Sequence, residues 1–367
     1  MSGRQVLGKR LGQRSKLDAA HAAAGPWSVP AAADDVEQAE PVTVTEVVDA
    51  TLTPFRRGRL HTPATFAARS WMTGAVYDGS GRLVPSSQRL WRGDPRAAIA
   101  ADPAEIRVPE PEAVLSDRWL YMGHWSHHFG HFLLELVTNL WPAREEMSIT
   151  GLVAHRAVRT PAPAVGGGGM TTPQPNDWQR EMLALTGYGD LELRVVRHKP
   201  VRVETLVIPS RPLLLKSWAL PEAVGVWRRM SEAVRDRGSD RMVFLSRSRF
   251  HALHPKKKRV RAIERWDVLL DDTFAAAGFA VVHPQELSFT EQVRIVRGAE
   301  VLAGASGSAL HLSALAAPGT RVLEIGDLRN PDHPLASQRM IDAACGHRSA
   351  FVPYHDEAGL AAVLEAL

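Results

Sequence analysis

The sequence predicts an α/β protein with a Rossmann-like parallel sheet in its C-terminal half, on three observations. From Arg241 onward, short apolar segments alternate with amphipathic ones across short loops, the pattern of parallel strands covered by helices on both faces. One apolar strand, Glu300-Val301-Leu302-Ala303, runs into Gly304-Ala305-Ser306-Gly307-Ser308. Such a turn can aim backbone N–H groups and a helix dipole at an anion, although Gly and Ser also serve tight turns for steric reasons alone. Composition is globular: the 367 residues are 45% hydrophobic and 23% charged, enough chain for two domains.

The same numbers bound the function. No apolar run has the length of a membrane span. The single cysteine, Cys345, rules out an internal disulfide, and the N-terminus lacks the apolar core of a secretory leader, so a cytoplasmic protein is expected. A net charge of +4 suits an anionic substrate, a membrane surface or nucleic acid alike.

Taken in order, residues 1–40 read as a disordered arm rich in Ala, Gly, Ser, Arg and Pro. Its basic residues Lys9, Arg10, Arg14 and Lys16 would suit peripheral contact with an anionic membrane, although a solvated tail is the commoner meaning of such a run. An N-terminal domain is expected over 41–215, opening with a β-branched strand at Val42–Val48 and a second strand from Trp71 to Tyr77 closed by an Asp78–Gly81 turn. Within Tyr121–Pro142 the residues Phe129, Phe132, Leu133, Leu136, Val137 and Leu140 recur at spacings of three and four, which predicts a helix with one apolar stripe. Its other face carries His128, His131, Glu135, Thr138 and Asn139, with His131 and Glu135 one turn apart.

Three readings fit that face: a metal site using His124, His127, His128 and His131, a polar face covered by loops, or an acid/base pair lining a cleft. The spacing matches neither H-E-x-x-H nor a Cys/His cluster, which counts against metal. A Gly166–Gly169 loop lacks the Lys-Ser/Thr ending of a phosphate loop. A helix at Trp178–Leu185, strands at Leu191–Val196 and Val201–Ile208, a crossover near Pro212–Pro221 and a basic, exposed helix at Glu222–Arg237 complete the passage into a second domain over 216–367.

In that domain strands are expected at Met242–Ser246, Phe279–Val282, Val301–Ala303 and Arg321–Ile325, with helices at Trp266–Ala277, Ser288–Arg297, Ser308–Ala317 and Leu335–Cys345. Ligands of such sheets bind at the carboxyl ends of the strands. Three loops meet that condition: the one after Ser246 with Arg247 and Arg249, the His283–Glu286 loop, and the Gly304 turn. Pro255–Arg261 also has the look of a nucleic-acid patch, but no aromatic platforms interleave its charges, so no nucleic-acid partner is expected.

Several segments together resemble glycosyltransferase family 61 over about residues 115–325. They are His131-Phe132-Leu133-Leu134-Glu135, Phe244-Leu245-Ser246-Arg247, Gly278-Phe279 with Pro284–Gln292, and Gly304–Leu310 followed by Ala317–Glu324. The chain departs from the family pattern at Ser306, where His is usual, at Leu312, where Asn is usual, and at Glu264-Arg265.

The resemblance implies a GT-B-like architecture, two Rossmann-like domains facing across a cleft, and a metal-independent inverting transfer from a nucleotide sugar, UDP-linked by analogy, to a hydroxyl acceptor in glycan or polysaccharide synthesis. No cofactor is expected beyond the donor. In that scheme Arg247, and with it Arg249 or Arg261, neutralises the diphosphate. Gly304, Ser306, Gly307 and Ser308 form its cradle, Glu286 and Glu324 are candidates for base or ribose contacts, and His131 or Glu135 is the general base. A non-catalytic nucleotide- or glycan-binding homologue is the alternative raised by Ser306. A dinucleotide oxidoreductase is disfavoured by the missing G-x-G-x-x-G.

Overall fold

The computed structural model describes residues 26–30, 39–54, 56–57, 71–72, 74–91, 94–98, 104–156, 170–171, 175–197, 199–250 and 264–367. The basic N-terminal residues, the Gly166–Gly169 loop and Pro255–Arg261, with Arg261, lie outside them. The described residues fall into two compact units: those within 33–235 with 288–290, and those within 236–287 and 291–367 with residues 26–30.

The first unit is built on a seven-stranded mixed sheet. Its strands are β1 (Val44–Leu52), β2 (Val76–Tyr77), β3 (Ala113–Trp125), β4 (Gly151–Arg156), β5 (Met170–Thr171), β6 (Glu192–Val196) and β7 (Val201–Pro209). The spatial order is β2-β1-β7-β3-β4-β6-β5, with β7, β3, β4 and β6 mutually parallel and antiparallel strands at both margins. The central strands bury Val153, Val203, Leu206 and Ile208 in one apolar cluster with Trp119 and Tyr121.

β3 extends through Trp125, so the predicted helix begins only at Phe129. It then runs to Leu140 with changing pitch: α over Phe129–His131, π over Phe132–Leu136 and 3₁₀ over Val137–Leu140. A π turn frees carbonyls from the regular ladder, and here they find other donors. Trp227 Nε1 donates to the Leu133 carbonyl at 3.1 Å and the Thr138 hydroxyl to that of Leu134 at 2.7 Å. Thr138 and Asn139, expected on the polar face, are buried.

Helix α1 (Asp177–Leu185) carries an Asn176/Gln179 capping box. Helix α2 (Pro221–Ala233) corrects the expectation of an exposed basic helix, because Ala223, Val226, Trp227 and Met230 make a buried stripe at helical spacing. The segment before it, expected as a crossover, holds a small hairpin, Leu213–Leu214 with Trp218–Ala219. The chain passes to the second unit after Arg235.

The second unit has five parallel strands, β8 (Met242–Leu245), β9 (Ala280–Val282), β10 (Val301–Ala305), β11 (Arg321–Ile325) and β12 (Arg348–Val352). Its helices are α3 (Glu264–Ala276), α4 (Phe289–Gly298), α5 (Ala336–Cys345) and α6 (Glu357–Glu365). The sheet order is β9-β8-β10-β11-β12, the doubly wound 2-1-3-4-5 arrangement, whose direction reverses between β8 and β10. The expected Ser308–Ala317 helix is a 3₁₀ segment, Leu310–Leu315, and β12 and α6 were not anticipated.

Residues 26–30 differ from a loose arm. Trp27 is buried in this unit's core beneath the Arg321 guanidinium, and Ser28 exchanges two backbone hydrogen bonds with Ser349.

Candidate functional site

Two polar clusters gather the predicted residues, one in each unit. In the second unit the sheet reversal places the ends of β8 and β10 side by side, where a doubly wound sheet opens its ligand crevice. Arg247, two residues past β8, and Ser306, one past β10, meet there: Arg247 Nη1 lies 3.4 Å from the Ser306 carbonyl. Arg329, absent from the sequence-based set, donates to the same carbonyl at 3.4 Å and to Asp327 at 2.8 Å. Arg247 is largely buried, with Asp267 and Asp327 each at 3.5 Å and its Nε without a hydrogen-bond partner among the described residues.

Ser306 turns inward. It is fully buried, its N–H donates to the Ile325 carbonyl at 2.7 Å and its hydroxyl to Glu324 at 2.6 Å. The turn itself needs Gly307, whose φ of 144° lies where side chains are strained, and Gly304 packs in β10 against Leu245 and Leu310. Ser308 is half-buried beside it.

Glu324 also accepts from the Leu335 N–H at 3.0 Å. Burial pushes its carboxyl up to about 7; the Ser306 and Leu335 hydrogen bonds oppose the shift and the Asp327 charge adds to it. Arg249 and Glu286 pair with each other at 2.7 Å, both well exposed. Ser246 contributes by bonding Ser248, whose hydroxyl reaches Asp271 at 2.6 Å.

In the first unit the π turn sets Glu135 beside His131, whose Nδ1 is hydrogen-bonded to Glu135 Oε2. Arg89 clamps the same carboxylate with Nε at 2.8 Å and Nη2 at 2.6 Å, the two-pronged geometry that guanidinium favours. Burial alone would raise Glu135; the Arg89 charge and the hydrogen bonds from His131 and Arg89 overcome it and hold the group well below the ordinary carboxylate range. A carboxylate fixed in this state accepts the Nδ1 proton of His131, which leaves Nε2 as the ring's proton acceptor. His131 keeps 39% of its side chain exposed, against 13% for Glu135. Arg89 lay outside the sequence-based set because 42 residues separate it from His131 and no local pattern marks it.

Behind this trio, Tyr121 Oη and His155 Nδ1 are 2.8 Å apart, and His124 stacks on His155. Burial lowers His155 to about 4, so the ring is neutral at physiological pH. Among the described residues no group of three or more His, Cys, Asp or Glu side chains is arranged to hold a metal ion. No described helix is long and apolar enough to cross a membrane.

A family model for glycosyltransferase 61 matches residues 129–323, more than half of the chain, a span that includes His131, Glu135, Arg247 and Ser306 but not Arg89, Glu324 or Arg329. The chain belongs to glycosyltransferase family 61. Family membership carries glycosyl transfer as the general activity, with a sugar donor and an acceptor as substrates. No curated protein matches the sequence significantly.

Proposed function

We propose that the protein is an inverting glycosyltransferase that moves a sugar from a nucleotide sugar, UDP-linked by family analogy, to a hydroxyl acceptor in glycan or polysaccharide synthesis. The donor diphosphate belongs to the second unit and the acceptor to the first, the division of labour of a GT-B enzyme. The observation that carries the reading is the Arg89–Glu135–His131 trio. An imidazole hydrogen-bonded through Nδ1 to a carboxylate that Arg89 holds in its ionised form can take a proton at Nε2.

In the reaction, the acceptor hydroxyl gives its proton to His131 Nε2 as its oxygen bonds the anomeric carbon. The bond from that carbon to the diphosphate oxygen breaks in the same step, and the nucleoside diphosphate leaves with the bonding electrons. Its developing charge calls for preorganised cations and N–H donors, the roles of Arg247, Arg329 and the N–H groups of Gly307 and Ser308. Glu135 orients the base and does not itself take the proton, because Arg89 lowers its proton affinity.

Acceptor-dependent release of nucleoside diphosphate across a donor panel tests this. Arg247→Ala should lower turnover by about 10²-fold or more in protein verified as folded, and should also lower the melting temperature, because it leaves the buried Asp267 and Asp327 carboxylates without that cation. Wild-type turnover in the variant would remove Arg247 from the role.

A second reading, a nucleotide-binding homologue without turnover, is favoured by one observation: Ser306 commits both its donors internally. UDP that raises the melting temperature, with no donor consumed, would select it.

A further inference from the structure

Arg211 lies two residues beyond the end of β7, and no acidic side chain among the described residues forms an ion pair with it. Its Nε donates to the Gln88 carbonyl at 3.0 Å and its Nη2 lies 3.5 Å from His124 Nδ1. Unlike Arg89, it has no carboxylate oxygen within 4.0 Å among the described residues. An arginine stays charged even when partly desolvated, so a half-buried guanidinium without a paired anion among the described residues is placed to receive one that a ligand brings. Burial lowers its proton affinity; Tyr121 and Glu135 oppose that, and Arg89 adds to it. The one carboxylate that reaches it, Glu135, is already clamped by Arg89.

The neighbouring polar atoms are also unspent. Gln88, whose carbonyl takes the Arg211 hydrogen bond and which directly precedes Arg89, is 6% exposed, and neither of its amide atoms has a hydrogen-bond partner among the described residues. Asn139, 3% exposed, donates from Nδ2 to the Met122 carbonyl at 2.7 Å, which fixes the amide's orientation and leaves Oδ1 without a partner. Buried amides left open in this way call for an explanation, and a ligand's own polar groups provide one.

Gly123, at φ 90°, keeps the floor open: a Cβ there would stand 3.0 Å from Asn139 Nδ2 and 3.2 Å from Arg211 Nη2. Arg211 and Asn139 thus converge on Gly123 near the end of β3, and the Gln88 carbonyl, one residue before Arg89 of the trio, holds the Arg211 Nε.

We infer that Arg211, with the Gln88 and Asn139 amides, forms a subsite for an oxyanion carried by the acceptor, so that the acceptor is an acidic saccharide bearing a carboxylate or a phosphate. The inference rests on the first unit being the acceptor side. The guanidinium holds the oxyanion through paired N–H donors, the Gln88 amide adds a further donor, and Asn139 Oδ1 accepts from a sugar hydroxyl. Arg89 remains with Glu135 and contributes only its field.

Calorimetric titration of the full chain with glucuronate, glucose 6-phosphate and glucose tests the subsite. At least one charged sugar should bind ten-fold or more tightly than glucose, the tighter of the two naming carboxylate or phosphate, and the preference should fall as salt is raised. Arg211→Gln should erase the preference with the fold retained. Should that variant not fold, Arg211→Lys, which keeps the charge but not the fork, should retain only part of it. Equal binding of all three sugars, no binding of either charged sugar, or an undiminished preference in the variants would overturn the inference. Transfer to neutral and acidic acceptors with equal kcat/KM would also overturn it while leaving the glycosyltransferase reading intact. Charge-selective binding without any transfer would do the reverse.

Discussion

At the scale of single residues, the sequence leaves His131 and Glu135 as equal candidates for the base, and Arg89 separates them. A carboxylate held by two guanidinium hydrogen bonds is a poor proton acceptor, which in the proposed reaction leaves the proton to the imidazole it orients. Glu135→Gln should therefore act through His131: kcat falls by about 10²-fold or more with KM little changed, since the acceptor is still held while the ring loses its orienting partner. Steady-state kinetics on matched acceptor series check this, and a change confined to KM would contradict it.

The pair itself was legible because a four-residue spacing on a helix makes neighbours. Arg89 and Arg211 were not, because each reaches the site across distant chain, 46 residues from Glu135 and 87 from His124 respectively. Ser306 was legible as a departure from the family but its orientation was not: whether a serine in a tight turn faces ligand or core depends on Glu324, which arrives from the next strand.

Among elements, the apolar periodicity of 129–140 announced a helix but not its pitch. The π turn persists because its Leu133 carbonyl finds the Trp227 indole, a partner supplied by α2. Arg229 of the same helix closes the far end by donating to the Leu140 carbonyl at 2.5 Å. Trp227→Phe should thus cost roughly 1–3 kcal/mol, the range for leaving a buried acceptor unpaired, and should lower activity by loosening the turn that holds Glu135. Urea unfolding reads the first effect; no loss of stability would show that the bond is incidental.

The buried stripe of α2 was present in the sequence as Ala223, Val226, Trp227 and Met230, and the flanking charges of Arg228 and Arg229 obscured it. The alternation of the C-terminal half revealed a parallel sheet. Its strand order is set by which edges pair in space, so the meeting of Arg247 with Ser306 required the structure.

For the molecule as a whole, buried acids set a pH signature. Glu324 is lifted to about 7 from an unfolded value near 4.5, so between those values the folded state binds more protons than the unfolded one. Stability must then fall as pH rises through that window, by about 3 kcal/mol from this group, with Asp342 shifted in the same direction by burial. His155 works oppositely: its neutral form is favoured in the fold, so stability is lost as pH falls from about 6.5 toward 4. Denaturation midpoints of Glu324→Gln should decline less than wild type between pH 5.5 and 8, and parallel profiles for the two proteins would refute the assignment.

One unit gathers cations at its sheet reversal and the other holds an imidazole hydrogen-bonded to a carboxylate. In the proposed reaction His131 removes the acceptor proton during glycosyl transfer. The most direct test of that step is acceptor-dependent nucleotide release from a turned-over donor, measured for wild type and His131→Asn side by side. A loss of about 10²–10⁴-fold in kcat with an unchanged melting temperature is predicted for the variant. Equal turnover in the two proteins would contradict the claim.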